Sequence, residues 1–167
     1  EFLPVSSSAH LLFPSLIFGT KDFGIVFDIS VHAGTLAAVI YYFKKEIHGL
    51  IQAWKPWTND RDQQNYFLGL NLLVATLPII IVGLFFSDFT ESRFANTNSI
   101  AWTNLIFAVL LYVVFSSSAQ SKSLAELTLT AALIIGCFQA LAIFPGASRS
   151  GMAITGALLI GLNLKDT

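Results

Sequence analysis

Between Leu124 and Leu164 the chain carries one carboxylate, Glu126, and one cation, Arg149. Arg149 stands in Pro145-Gly146-Ala147-Ser148-Arg149-Ser150-Gly151, a polar, glycine-bounded break between two apolar runs. A fixed guanidinium is costly among apolar residues, so an ionisable group within a membrane segment points to a functional site. Its planar fork also matches a phosphate better than any other side chain does. Proline and glycine stop a helix there, and Ser148 or Ser150 can cap the one that restarts. The expected product is a helix N-terminus aimed at an anion beside an arginine. The competing reading is a loop arginine that snorkels to the headgroups.

Composition supports the membrane setting. Of the 167 residues, 54% are hydrophobic and 11% charged, against about 25% charged in a soluble domain. The chain therefore reads as an all-α integral membrane protein. Its net charge of −1 gives no support to nucleic-acid binding. Cys137 is the single cysteine, which excludes a disulfide framework and a thiolate metal cluster. No cleavable signal peptide is evident. The absence of an initiating Met, and an end at Lys165-Asp166-Thr167 just after an apolar run, lead us to expect a piece of a longer protein.

We read residues 1–167 as a single transmembrane domain. Residues 1–18 form a first re-entrant motif: Pro4 and three serines open an apolar run from Ser6 to Phe18, too short for the roughly 20 residues of a crossing. Spans follow at about 23–43, 67–86 and 100–115, and a second re-entrant pair at about 124–164. Asp28 and His32, four residues apart, share a face of the first span, where a polar interhelical contact is expected. Pro78 is expected to kink the second span. Residues 44–66 read as a polar loop with Lys44, Lys45, Lys55 and Arg61, anchored at the interface by Trp54 and Trp57; His48 there is solvated or interfacial. The positive-inside rule puts this loop in the cytoplasm. Asp88, Glu91 and a lone Arg93 suit the outer side for 87–99, and Lys122 suits the cytoplasm for 116–123.

The two breaks can be laid over each other. Phe2 then falls on Phe144, Ser6 on Ser148 and Ser8 on Ser150, with the prolines offset by one. With the loop charges, the first half-helix ends outside and the second inside. That is the pattern of an inverted-topology repeat, in which two re-entrant half-helix breaks meet near the bilayer midplane and form a binding site. The expected architecture is a polytopic helical bundle.

Together the breaks supply the groups that phosphate removal requires: a cation clamp, donors for the equatorial oxygens, and a nucleophile with a proton manager. Arg149 and the amides of two helix N-termini can serve as clamp and donors. The phosphate-binding candidates are Ser6, Ser7, Ser8, Gly146, Ser148, Arg149 and Ser150. The catalytic candidates are Glu1, His10 and Arg149. An imidazole can attack phosphorus or manage protons, which makes His10 a candidate for either role. Glu1 can orient His10, act as base, or hold a divalent cation whose shell the phosphate oxygens complete. The nucleophile is His10 or a serine, and we favour His10.

The stretches Glu1-Phe2-Leu3-Pro4-Val5-Ser6-Ser7-Ser8-Ala9-His10 and Phe144-Pro145-Gly146-Ala147-Ser148-Arg149-Ser150-Gly151 resemble the two signature motifs of the undecaprenyl-pyrophosphate phosphatases, the bacitracin-resistance BacA/UppP family. Phe27-Asp28-Ile29-Ser30-Val31-His32-Ala33-Gly34-Thr35 is similar to a further segment of that family. The resemblance implies a multi-pass enzyme of the bacterial inner membrane that converts undecaprenyl pyrophosphate to the monophosphate carrier lipid. Recycling of that carrier would serve cell-wall synthesis and give bacitracin resistance. The resemblance further implies a divalent cation (Mg2+ or Ca2+), the inverted-repeat fold and an active site reached from the periplasm. The partners so implied are the polyprenyl pyrophosphate and the bilayer, and a homo-oligomer is allowed. By position, Glu1 would be the second glutamate of a paired motif, and His10, Ser7, Ser148 and Arg149 would fall on catalytic or phosphate-binding positions. The first glutamate of that pair and the C-terminal part of the fold are absent, so the chain as given is expected to be inactive. Ala153 stands where the family has threonine, with Thr155 two residues on. The alternative of another class is a transporter or flippase for an anionic lipid or small anion, which needs the anion site but no proton manager.

Overall fold

In the computed structural model the described residues are 2–21, 23–55, 60–86 and 97–166. Among them the secondary structure is helical, with one isolated bridge between Lys122 and Leu162. The helices are α1 (Ser7–Phe18), α2 (Ile25–Tyr42), α3 (Lys44–Gln52), α4 (Asp60–Phe85), α5 (Thr97–Ser117), α6 (Leu129–Ala140) and α7 (Arg149–Leu159). Single 3-10 turns at Leu124–Glu126 and Leu141–Ile143 flank α6. Two compact units result: Glu1–Ala9 with Leu70–Thr167, and His10–Gly69.

Three helices contain windows long and apolar enough to cross a bilayer: Ile25–Tyr42, Asp62–Phe85 and Asn98–Ser117. Their side chains stay largely exposed within the chain, as with Val26, Leu84 and Tyr112. Water would penalise such surfaces, whereas a hydrocarbon solvent accepts them. The polytopic all-α architecture follows. By contrast α1, α6 and α7 have 12, 12 and 11 residues, which at 1.5 Å per residue gives at most about 18 Å, well short of a hydrocarbon core of about 30 Å.

The unit built on residues 10–69 holds α2 and α3. Polar side chains of α2 bond to the helix's own carbonyls. Ser30 Oγ donates to Val26 O at 2.7 Å, Thr35 Oγ1 to Val31 O at 3.1 Å, and His32 Nδ1 to Asp28 O at 2.6 Å. The His32 bond lies within α2 and is distinct from the interhelical contact expected of that face. The segment 44–66, read from sequence as a loop, is instead helical over Lys44–Gln52 and again from Asp60. Polar composition misled because a helix satisfies its backbone internally and can lie in the interface with its charges in water. His48 Nε2 and Gln52 Nε2 pair at 2.7 Å, and Trp54 meets Tyr66 edge-on with centroids 5.1 Å apart. Lys44 Nζ stands 4.6 Å above the Tyr41 ring. The expectations attached to Trp57, and to Asp88, Glu91 and Arg93, lie outside the described residues.

In the other unit α7 is the core. Gly151, Met152, Thr155, Gly156, Ala157 and Leu158 are buried against α6 and α5. Small residues permit this where lipid supplies no hydrophobic drive between helices. A Cβ on Gly156 would come within 3.0 Å of Phe138 Cβ, and one on Gly136 would collide with the Ala75 backbone carbonyl of α4. Asn71 of α4 donates from Nδ2 to Leu127 O at 2.9 Å, pairing a carbonyl just ahead of α6. Thr128 caps α6 by accepting from Ala131 N at 3.2 Å. α4 continues through Pro78.

The connector after α5 is held to the end of α7. Ser118 Oγ donates to Leu158 O at 2.6 Å, Lys122 N to Gly161 O at 2.9 Å, and Asn163 N to Lys122 O at 2.9 Å. Leu124 N and Asn163 Nδ2 both donate to Asp166 Oδ2, at 3.0 and 2.8 Å. Glu126 accepts from Ser123 N at 2.8 Å, which with the Ser123 hydroxyl holds its carboxyl below the usual range.

Two glycine substitutions should behave oppositely. Gly83 has open space around the Cβ position, so Gly83→Ala should be neutral or stabilise by up to about 1 kcal/mol through helix propensity. Gly136→Ala should destabilise by about 1–3 kcal/mol through overpacking against α4. Unfolding midpoints in detergent check both, and equal midpoints would refute the close approach of α6 to α4.

Candidate functional site

Each break restarts a helix on a serine. Ser6 accepts from Ala9 N at 3.3 Å and is buried. Ser148, extended at φ −89° and ψ 123°, accepts from Gly151 N at 3.2 Å. The two serines that overlay in the sequence therefore make the same capping bond, each to the amide three residues on. Gly146 turns the chain into α7 at φ +95°, where a side chain would meet Ile100 O at 2.7 Å as well as backbone strain.

The hydroxyls of the second break form a directed chain. Ser150 Oγ donates to Leu3 O at 2.9 Å, and Ser148 and Ser150 Oγ are 3.1 Å apart. A hydroxyl has one proton. Ser150 spends its proton on the Leu3 carbonyl, so Ser148 donates to Ser150. Gly151 also packs closely on Pro4, a Cβ there lying 3.4 Å from Pro4 Cβ. One hydroxyl thus ties the two sequence-distant breaks.

At the N-terminus of α7 the Gly151 amide goes to the Ser148 hydroxyl and the Met152 amide to the Ser148 carbonyl. The amides of Arg149 and Ser150 are the pair left for an anion, at the positive end of the helix. Arg149 is the first residue of α7 and is exposed. Charge was legible in the sequence, but the expected burial is not found: Arg149 itself is exposed, while Gly151 and Met152 in the same first turn already belong to the core. Such an arginine can swing onto an anion held by those amides.

Ser6, Ser148, Arg149, Ser150 and Gly146 therefore belong to one unit, as does Ser7, the first residue of α1. The Ser8 side chain and Glu1 lie outside what the structure describes. His10 is exposed and belongs to the unit His10–Gly69. Among the described residues no three His, Cys, Asp or Glu side chains gather as a metal site. Thr155, two residues after Ala153, is buried and donates to Gly151 O at 2.7 Å, so its hydroxyl serves the helix core.

Sequence reasoning passed over Asn104, at the wall of a cavity shared with Ser148, and Asn71, whose Oδ1 is buried without a partner among the described residues. The available signal was an amide within an otherwise apolar span.

A family model described as bacitracin resistance protein BacA matches residues 1–167. An undecaprenyl-diphosphatase of Saccharophagus degradans is 45% identical over 166 residues, covering 99% of this chain and 63% of the relative. One of Teredinibacter turnerae is 45% identical over 167 residues, with 99% and 63% covered. Undecaprenyl-diphosphatase 1 of Pseudoalteromonas translucida is 42% identical over 164 residues, with 98% and 62% covered. The chain spans somewhat under two thirds of the length of these curated relatives.

Ser148→Ala removes both the cap and the donor to Ser150. We expect a loss of about 1 kcal/mol, within the 0.5–2 kcal/mol range for caps. Ser148→Asp, which keeps an acceptor for the Gly151 amide, should recover most of it. Thermal unfolding of the two variants in detergent tests the cap, and identical stabilities would remove it.

Proposed function

This chain belongs to the bacitracin resistance protein BacA family, and on that premise we propose that the whole protein hydrolyses undecaprenyl pyrophosphate to undecaprenyl phosphate and inorganic phosphate. The observation that carries the reading is the pair of open amides at the α7 N-terminus beside Arg149, tied to the first break through Ser150 and Leu3. These groups suit the terminal phosphoryl group, whose charge spreads over its equatorial oxygens during transfer.

In this scheme the Arg149 fork and the α7 amides hold the phosphoryl oxygens. Ser148 and Ser150, already polarised along their hydrogen-bond chain, define the floor of the site. From the sequence motif we propose His10 as the nucleophile or the activator of one: the terminal phosphorus is attacked, its P–O bond to the bridging oxygen breaks, and the polyprenyl monophosphate leaves. Water supplies the oxygen of the released phosphate. Glu1 orients His10 or serves as base. We further propose a divalent cation, Mg2+ or Ca2+, held by Glu1 and the pyrophosphate; the described residues alone do not make a metal centre, and no step is assigned to it. The names of the relatives favour hydrolysis over anion transport.

The setting we propose is the bacterial inner membrane, with the pyrophosphate entering from the periplasm and the released carrier serving cell-wall synthesis. Loss of the pyrophosphate form would account for resistance to bacitracin. The bilayer and the lipid are the proposed partners.

Full-length protein in detergent should release phosphate from a polyprenyl pyrophosphate, and EDTA should suppress the release. No release above background would refute the phosphatase, whereas undiminished release in EDTA would refute the cation. Arg149→Lys keeps the charge but loses the bidentate fork, so turnover should fall about 100-fold with the fold intact. Near wild-type turnover would make Arg149 a headgroup anchor.

A further inference from the structure

A cavity of about 440 Å³ opens beside the second break, with Pro4, Val5, Asn104, Ala108, Ser148 and Met152 in its wall. Its volume lies within the roughly 300–1,000 Å³ of small-molecule sites. The wall from α5 is a single helical stripe: Ala101, Asn104, Leu105, Ala108 and Leu111 repeat at three- and four-residue intervals. Two of these are alanines one heptad apart, and their small side chains leave the space open. Ser148 belongs both to this wall and to the cap of α7.

Asn104 is the anomaly. It interrupts the apolar helix Thr97–Ser117, is half-buried, and its side chain makes no hydrogen bond to another described residue. An amide in an apolar span ordinarily joins a neighbouring helix. Here it faces a cavity whose other polar edge is the Ser148 hydroxyl. A ligand with one polar end and an apolar body pairs Asn104 and matches the apolar wall, whereas an inorganic anion leaves that wall unmatched and a plain hydrocarbon leaves Asn104 unpaired.

We infer that this cavity receives the isoprenoid segment adjoining the pyrophosphate, with Asn104 bonding the ester-side phosphate and Ala108 making room for the first branched units. The inference rests on the phosphatase reading and deepens it. The amides of Arg149 and Ser150 hold the terminal phosphoryl group, while the α5 stripe takes the other end of the headgroup and steers the tail toward the bilayer. Asn104 is a specificity-determining residue for the lipid, and Ala108 sets the width of its path.

The test uses the full-length protein in nanodiscs and a polyprenyl monophosphate carrying a diazirine on its first isoprene unit. On irradiation the label should fall within residues 101–111, compete with unlabelled polyprenyl phosphate, and be lost in Ala108→Trp. In parallel, Asn104→Leu should raise KM for polyprenyl pyrophosphate about tenfold and disproportionately to its effect on kcat, with Asn104→Ser intermediate. If wild-type protein hydrolyses the lipid but the label falls elsewhere, the cavity assignment is wrong and the phosphatase reading stands. If wild-type protein hydrolyses no polyprenyl pyrophosphate, both readings fall together. Because the label is read on wild-type protein, misfolding of a variant cannot decide the outcome.

Discussion

In hydrocarbon an unpaired backbone N–H or C=O has no water to turn to and costs several kcal/mol. A helix that stops within a membrane protein must therefore find side chains for its open ends, and the positions of those side chains govern the rest of this structure. Ser6 and Ser148 cap two restarts, Thr128 caps a third, and Asn71 reaches from a neighbouring helix to pair the Leu127 carbonyl. The donors still open at the start of α7 are the Arg149 and Ser150 amides, those best placed for an anion. A stability requirement and the proposed anion site thus share the same backbone.

Close packing follows from the same economy. Short helices offer little area, and lipid offers no hydrophobic drive to pair them, so proximity must supply dispersion energy. α7 achieves this with Gly151, Gly156 and Ala157, and α6 with Gly136 against Ala75 of α4. The polar clasp between 118–126 and 161–166 then holds the end of the hairpin. Arg149 alone of the first turn is exposed, so a close-packed helix start presents a cation at the surface.

Much of the helical plan was legible because spans announce themselves by the absence of charge. Helices 25–42 and 97–117 lie over the apolar stretches 23–43 and 100–115. The segment 44–66 was not legible, since polar residues write an interfacial helix and a loop alike. Within the site, the cap on Ser148 could be read from the Pro-Gly-x-Ser pattern, and its twin on Ser6 from the overlay. The Ser150–Leu3 bond could not, because its partners lie 147 residues apart and a main-chain carbonyl has no signature in a sequence. Asn71 and Asn104 were visible as letters, yet only their surroundings separate a carbonyl pairing from a cavity wall.

By itself the sequence determined the helical class and the chemistry on offer: long uncharged runs make apolar helices suited to a bilayer, and an arginine within a serine-bounded break offers a cation and open amides to an anion. Those inferences need only local composition and backbone valence. The tertiary structure decided what depends on distance. It buried Thr155 and exposed Arg149, joined the two breaks through one hydroxyl, and set Asn104 beside Ser148 across a cavity. Side chains far apart in the chain meet only when close-packed helices bring them together, and no local pattern encodes that meeting.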